Sequence, residues 1–133
     1  MDSFSKKKRS LIMSRIRSKG TAFELSVFKE VKNKGIVFKK NYSKLPGKPD
    51  IAILKIKKAV FLHSDFWHGW RFSKWEKKLN SDFWKIKIRK NRVRDVKVKR
   101  ILRKQGWKIL VIWEHSLRKN KESTLVKLIN FLK

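Results

Sequence analysis

The sequence contains no cysteine. It therefore has no disulfide framework and no metal site built from thiolates. With 5 glycines and 2 prolines among 133 residues, it shows no linker rich in glycine, serine or proline and no internal repeat. No apolar run approaches the roughly 18 residues that a membrane-spanning helix needs, and the N-terminus lacks the apolar core of a signal peptide. These absences predict one intracellular globular domain.

Acidic residues are also scarce. The chain has 10 Asp and Glu residues against 38 Lys and Arg, a formal net charge of +28. Such a charge opposes compaction, so a polyanion is the expected partner, and an anionic membrane is a weaker alternative. Apolar residues make up 41% of the chain, with 9 Phe and 6 Trp. This is enough for a packed core, which excludes a disordered basic tail.

The order of the patterned segments predicts an α/β fold. Residues 1–20 are basic and weakly patterned, and we expect an arm that orders on a partner, followed by one domain over 21–133. The "TAFE" stretch has the spacing of a helix-capping box with Thr21 as N-cap, and Gly35 ends that helix. Strands are predicted at 36–42, 50–56, 59–63 and 107–113, and helices at 82–90 (capped by Ser81), 92–105 and 122–133. This order predicts helices packed on a mixed sheet.

The stretch "VFLHSDFWHGW" (60–70) joins an apolar strand to a loop with two of the three histidines. A hairpin turning at residues 57 and 58 would bring Asp50 near residue 63. A carboxylate beside main-chain carbonyls can hold Mg²⁺, and His68 could take a proton from an attacking water. Each element is weak alone, because a proline–aspartate pair before a strand is common and His63 could be a purely structural histidine. Their convergence favours a catalytic site.

Several blocks then carry a resemblance over residues 9–118. They are "RSLIMSRIRSKGTAFE", "LPGKPD", "VFLHSDFWHGW", "KNRVRD" and "GWKILVIWEHSLR". In this order and spacing they resemble the very short patch repair endonuclease family. The resemblance implies a restriction-endonuclease-like α/β three-layer sandwich with a central mixed sheet. It also implies a Mg²⁺-dependent nick on the 5′ side of the thymine in a T·G mismatch of double-stranded DNA. A monomer in the cytoplasm, associated with the nucleoid, is expected.

The resemblance also implies roles for individual residues. Asp50 would ligate the metal together with the main-chain carbonyl of Leu62, where the family usually has threonine. His63 would contact the scissile phosphate, and His68 would be the general base.

Two further carboxylates would support this site. Glu24 would orient a metal-bound water or His68, although it could equally be a capping-box carboxylate. Asp95 would support the site from the helical region, although without the resemblance it reads as the partner of neighbouring basic residues.

Aromatic and polar residues are implied as DNA contacts. In the family, the positions of Phe66, Trp67 and Trp84 form a wedge beside the mismatch, where aromatic faces replace lost base stacking. Ordinary core packing is the alternative, above all for Trp84. Further expected contacts are Lys48, Asn91 and, on the basic arm, Arg15 and Arg17.

One departure from the family concerns its structural zinc. The matching positions here are Asp65, Trp70, Phe72 and His115, and two possible ligands do not close a tetrahedral site. We predict no structural zinc. Instead we expect a charge-assisted hydrogen bond between Asp65 and His115, with Trp70 and Phe72 filling the vacated volume.

Two alternatives stay open at this point. A restriction-like nuclease or nickase without T·G selectivity would keep the same site. A non-catalytic basic nucleic-acid-binding protein would explain the charge and the aromatics, but it would not need Asp50, His63 and His68 together.

Overall fold

The computed structural model describes residues 22–66, 68–76 and 82–133. The helices and strands, in chain order, are α1 (Ala22–Asn33), β1 (Lys39–Lys40), β2 (Ile51–Ile53), β3 (Lys58–His63), α2 (Phe72–Trp75), α3 (Asp82–Lys104), β4 (Lys108–Trp113), α4 (Glu114–Lys119) and α5 (Lys121–Leu132). The predicted basic arm with Arg15 and Arg17, the caps Thr21 and Ser81, and Trp67 lie outside the described residues.

The four strands form one mixed sheet in the order β1-β2-β3-β4. β1, β2 and β3 pair antiparallel, and β3 pairs parallel with β4 from Lys58–Lys108 to His63–Trp113. The sequence of β3, "KAVFLH", is buried from its second residue to its last, because helices cover both faces of this central strand. His63 therefore ends β3 in a closed environment.

Two apolar cores lie on opposite faces of the sheet. On one face, Val60 and Leu62 of β3 pack with apolar residues of α1, α4 and α5. On the other face, Ala59 and Phe61 pack with Val98 and Leu102 of α3. Alternate residues of β3 thus point into different cores, as the two-residue period of a strand requires. The predicted three-layer α/β sandwich with a mixed sheet is confirmed.

Glycines end two of the helices, as the sequence predicted. Gly35 and Gly106 have φ of +75° and +86°, which favours glycine. After α3, Trp107 N–H donates to Leu102 O at 3.0 Å and Gly106 N–H to Arg103 O at 3.1 Å. This pair of bonds satisfies helix-terminal carbonyls in the Schellman arrangement and turns the chain into β4.

Several predicted boundaries are wrong. The strand expected at 36–42 is limited to Lys39–Lys40, and the two helices expected between 82 and 105 are one continuous helix, since no glycine or proline interrupts it. The hairpin between β2 and β3 turns through a 3₁₀ segment, Leu54–Ile56, followed by left-handed Lys57. Helix α4 lies in a stretch that the sequence left without structure. Among the described residues, no helix is long and apolar enough to cross a membrane.

Candidate active site

The candidate site forms where β3 ends and the chain enters the loop of residues 64–71. The loop folds on itself through main-chain bonds from His68 N–H to Ser64 O (3.2 Å) and from Trp70 N–H to Asp65 O (2.9 Å). His63 is 3% exposed, and its ring meets the ring of its register partner Trp113 edge to face at 4.9 Å. The end of the sheet thus fixes one imidazole, and the folded loop presents a second.

The two imidazoles stack face to face. The ring centroids of His63 and His68 are 3.8 Å apart, and the planes differ by 2°. His68 Nδ1 lies 2.7 Å from Asp95 Oδ2, with both side chains about one fifth exposed. Because an ionised carboxylate only accepts hydrogen bonds, the tautomer of a neutral His68 that fits this contact has the proton on Nδ1 and the lone pair on Nε2. Such an arrangement gives an oriented imidazole that can accept a proton.

Helix α3 brings Asp95 to the site because Asp95 lies on the face of the helix that points into the protein. Ile88, Val98 and Leu102 are buried on this helix, and Asn91 and Asp95 fall between them at the same spacing of three and four residues. An apolar stripe interrupted by two polar residues therefore lies under the loop. This interruption is the sequence signal that could have singled out Asp95 without any resemblance.

Asp50 reaches the same end of the sheet from the neighbouring strand. Its side chain is 2% exposed, and Leu62 N–H donates to its Oδ2 at 2.7 Å. The register pairs Ile51 with Val60, so Asp50 is level with Phe61. The sequence had suggested that Asp50 would be level with His63. The difference follows from the 3₁₀ turn, which moves the turn centre toward residues 55 and 56. Asp50 nonetheless contacts the residue immediately before His63.

The remaining predicted site residues occupy different surroundings. Glu24 is a buried carboxylate (4% exposed) in the first turn of α1, and its predicted role beside His68 stays a prediction. Lys48 is exposed at φ +51° in the turn before Asp50. Asn91 is half-buried on α3, one turn before Asp95.

The expected wedge residues that the structure describes lie in one aromatic cluster. Phe66 and Trp84 are half-buried, with ring centroids 6.5 Å apart, and both pack on buried Phe72 and Ile88. Sequence reasoning missed Phe83, whose ring meets Trp84 edge to face at 5.2 Å and which is 64% exposed. An exposed phenylalanine beside this cluster adds apolar surface at the start of α3.

The comparisons with known proteins decide the family. The family model described as DNA mismatch endonuclease Vsr matches residues 1–74. The type II nicking enzyme V.NmeAIP of Neisseria meningitidis serogroup A is 44% identical over 118 residues, which cover 88% of this chain and 84% of the relative. The DNA mismatch endonuclease Vsr of Escherichia coli K12 is 31% identical over 124 residues, covering 92% and 80%.

The chain belongs to the Vsr family. It is a DNA endonuclease of the nicking type, and DNA is its substrate. A binder without catalytic activity is thereby disfavoured.

A nuclease of the Vsr family implies a divalent metal ion, and two places on this chain offer ligands. Among the described residues, one group of three metal-capable side chains has its ligand atoms within 4.8 Å, namely His63, His68 and Asp95. The lone pair of an imidazole nitrogen lies in the ring plane, so two parallel stacked rings share no position for one ion. Rotating His68 to create one would break its bond to Asp95. This group therefore does not fit a single metal ion.

Asp50 fits a hard cation better. Mg²⁺ is usually bound through one or two carboxylates together with phosphate oxygens and water, and not through imidazoles. A carboxylate has about four lone-pair positions, so the bond from Leu62 N–H leaves it able to ligate a metal. The donor chemistry at Asp50 is therefore suitable for the ion that the Vsr family implies.

The residues at the Vsr zinc positions do not fit zinc. Asp65 Oδ1 and His115 Nδ1 are 2.7 Å apart and bond to each other, as the sequence predicted. Trp70 stacks on the His115 ring with centroids 3.7 Å apart. Phe72, which was expected to fill the vacated volume together with Trp70, is buried and packs with Ile88 in the aromatic cluster. Two of the four positions thus offer ligand atoms, and these are engaged with one another.

Proposed function

We propose that this protein nicks one strand of double-stranded DNA on the 5′ side of the thymine in a T·G mismatch, with Mg²⁺ as cofactor, in very short patch repair. The observation that carries the proposal is the Asp95–His68 pair stacked on His63 beside Asp50. The relative in Escherichia coli is named a DNA mismatch endonuclease, and several others are named type II nicking enzymes. These names agree on DNA cleavage, so the selectivity for a mismatch is what the proposal adds.

In the proposed reaction, His68 is the general base. Its Nε2 accepts the proton of the attacking water, and the Asp95 carboxylate, 2.7 Å from Nδ1, compensates the charge that the ring gains. His63 contacts the scissile phosphate from the adjacent stacked position. Glu24 would help to orient the water or His68.

Asp50 and the main-chain carbonyl of Leu62 would hold the Mg²⁺ ion. The ion supplies charge stabilisation for the phosphate oxygens and the leaving 3′ oxygen. Burial of Asp50 keeps its carboxylate in one orientation, fixed by Leu62 N–H. This anchoring sets where the backbone of the DNA can approach His68.

The aromatic cluster would contact the mismatch. Phe66 and Trp84 present half-buried rings at the start of α3, and Trp67 follows Phe66 in sequence. A mismatched step costs less to unstack, and aromatic contact is worth about 1–3 kcal/mol per base. Lys48, Asn91 and the arm residues Arg15 and Arg17 would contact the backbone around the site.

An asymmetric lesion needs one nick in one strand, so we propose that the enzyme acts as a monomer. The basic arm over residues 1–20 would order on DNA beside a single catalytic domain. A second subunit would place a second site on the opposite strand, which this reaction does not use.

The deciding experiment compares a T·G duplex with its T·A control, each labelled on either strand, with Mg²⁺ or with EDTA. We expect a single nick 5′ of the thymine in the T·G duplex, and none in EDTA. Asp50→Asn keeps a side-chain oxygen for Leu62 N–H but loses the charge, so it should bind DNA without nicking it.

Other outcomes would replace the proposal. Equal nicking of both duplexes would favour a nickase without T·G selectivity. If neither duplex is cleaved in the presence of Mg²⁺ although both are bound tightly, the alternative of a non-catalytic nucleic-acid-binding protein would be favoured.

A further inference from the structure

We propose that Asp65, Trp70 and His115 form a metal-free brace that positions the catalytic His68. The inference rests on the proposed nuclease function, in which His68 is the base. It explains how the chain holds the loop of residues 64–71 in place although the residues at the family's zinc positions do not fit zinc.

The brace joins the loop to the end of β4 and the start of α4. Asp65 Oδ1 accepts hydrogen bonds from His115 Nδ1 at 2.7 Å and from His115 N–H at 3.3 Å. In the other direction, Asp65 N–H donates to Glu114 Oε1 at 3.2 Å. Arg118 lies at the exposed edge, 3.5 Å from Asp65 Oδ2. The loop is thus bonded to α4 in both directions.

Trp70 closes the brace from the far end of the loop. Its ring stacks on His115 with a 19° angle between planes, and the Arg71 guanidinium lies 4.4 Å from the centre of the same ring. Trp70 N–H also donates to Asp65 O at 2.9 Å. Contacts from both ends of the loop therefore converge on the His115 ring.

A continuous series of ring contacts leads from the brace to the catalytic imidazoles. From His115 the contacts run to Trp113 (5.8 Å), from Trp113 to His63 (4.9 Å), and from His63 to His68 (3.8 Å). Packed aromatic rings resist displacement, because any shift loses contact area. A displacement of the His115 ring would therefore change the packing, and so the position, of the His68 ring.

The loop is fixed at two separate points. Asp65 bonds to His115, and His68 bonds to Asp95 on α3. Immediately after His68, a Cβ added at Gly69 would lie 3.0 Å from Ile88 Cγ2 and 2.8 Å from Arg92 Cδ, which shows how closely the loop packs on α3. Removing the first attachment should leave the Asp95 contact to hold His68 alone. The imidazole would then spend less time in the reactive orientation.

Substitutions at His115 separate the two parts of the brace. His115→Asn keeps an N–H donor near the Nδ1 position but loses the ring, and His115→Phe keeps the ring but loses the donor. His115→Ala loses both. Glu122→Gln, an exposed position on α5, is the matched control.

We expect His115→Ala to lower kcat by roughly 10- to 100-fold, the usual cost of losing a group that orients a catalytic residue. The affinity for the matched T·A duplex should be unchanged, because Phe66 and Trp67 on this loop have no mismatch to contact there and phosphate contacts outside the brace dominate that affinity. His115→Asn and His115→Phe should each restore part of kcat. A wild-type kcat in His115→Ala, or a fall in kcat matched by an equal fall in affinity, would overturn the proposal.

Hydrogen exchange and NMR supply a readout that does not depend on cleavage. In the free wild-type protein, the amides of Asp65 and Trp70 and the Nδ1–H of His115 should be protected, and EDTA should leave them unchanged. Faster loop exchange in the His115 variants supports the brace, and unchanged exchange overturns it. Should His115→Ala fail to fold, the Asn and Phe variants and the wild-type spectra decide.

The same measurements keep the two proposals apart. Wild-type protein that nicks no duplex but keeps a protected, chelator-insensitive loop overturns the nuclease proposal and supports the brace contacts. Stoichiometric zinc in protein purified without chelator, with loop signals that change in EDTA, overturns the brace.

Discussion

At the scale of single residues, the site depends on one bond across 27 positions of sequence. His68 comes from the loop after β3, and Asp95 comes from the middle of α3. A neutral imidazole can carry its proton on either nitrogen. The carboxylate bonded to Nδ1 selects the tautomer in which Nε2 would be the base. In the proposed reaction, Asp95 would thus act on the orientation and the charge of His68, and both effects concern the rate of the chemical step.

Asp95→Asn should therefore lower the single-turnover nicking rate by about a hundredfold or more, since the amide neither selects the tautomer nor compensates the imidazolium. DNA binding should be unchanged in an anisotropy titration. Asp82→Asn, the same substitution at an exposed position in the first turn of the same helix, is the control and should nick normally. A wild-type rate for Asp95→Asn would remove the carboxylate from the mechanism.

Residue identity and residue position were predictable to different degrees. Asp50, His63 and His68 could be identified from the sequence as candidate site residues, because carboxylates and imidazoles are few in such a basic chain. The stacking of the two imidazoles and the level of Asp50 on the sheet could not. Both depend on the 3₁₀ turn at Leu54–Ile56 and on how the loop of residues 64–71 folds over α3, which no local pattern encodes.

At the scale of elements, the turn that carries Asp50 is fitted against α3. Gly47 has φ +75°, and a Cβ at this position would lie 2.4 Å from Val98 Cγ1. Val98 is β-branched within a helix and has little rotamer freedom to move aside. The approach of this turn to α3 therefore requires glycine.

Gly47→Ala should destabilise the protein by about 1–3 kcal/mol, combining backbone strain with the collision. Gly35→Ala is a matched control, since Gly35 has the same φ of +75° with nothing within 4 Å of an added Cβ. Urea unfolding of both variants isolates the cost of the collision. Gly47→Ala should cost less in a Val98→Ala background than in the wild type, and equal destabilisation by Gly47→Ala and Gly35→Ala would contradict the close approach.

The elements themselves were largely predictable where hydrophobic period and glycine signals agreed. Helix α1, strand β3 and strand β4 appear close to their expected positions, and Gly35 and Gly106 end their helices as expected. Strand β1 is shorter than expected because only Lys39 and Lys40 pair with β2. Such pairing at a sheet edge is decided by tertiary contacts and not by local propensity.

At the scale of the whole molecule, the distribution of charge is uneven. Basic residues outnumber acidic ones by 38 to 10, yet Asp50, Asp65 and Asp95 all lie around the end of β3. Each of them holds a neighbouring group in place. The excess of positive charge elsewhere serves attraction to phosphates, which carries no sequence information.

Binding of the cleavage-deficient Asp50→Asn variant should accordingly depend steeply on salt. If about six to ten phosphates are neutralised, affinity should fall by about 10³–10⁵ between 50 and 200 mM monovalent salt. The ratio of T·G to T·A affinity should change far less, because base contacts release few counterions. Anisotropy titrations at several salt concentrations measure both, and a shallow slope would assign the basic surface to something other than DNA.

The continuity of α3 has a consequence for where the proposed nick can fall. One uninterrupted helix carries Trp84 near its start and Asp95 eleven residues later, a separation of about 16 Å along its axis. This helix would then fix the separation between its first turn, which would meet the mismatched pair, and its middle, which would support the cleavage site. The distance from lesion to break is then a property of one helix, and a variant with a kink between residues 84 and 95 would cut at a displaced or variable phosphate.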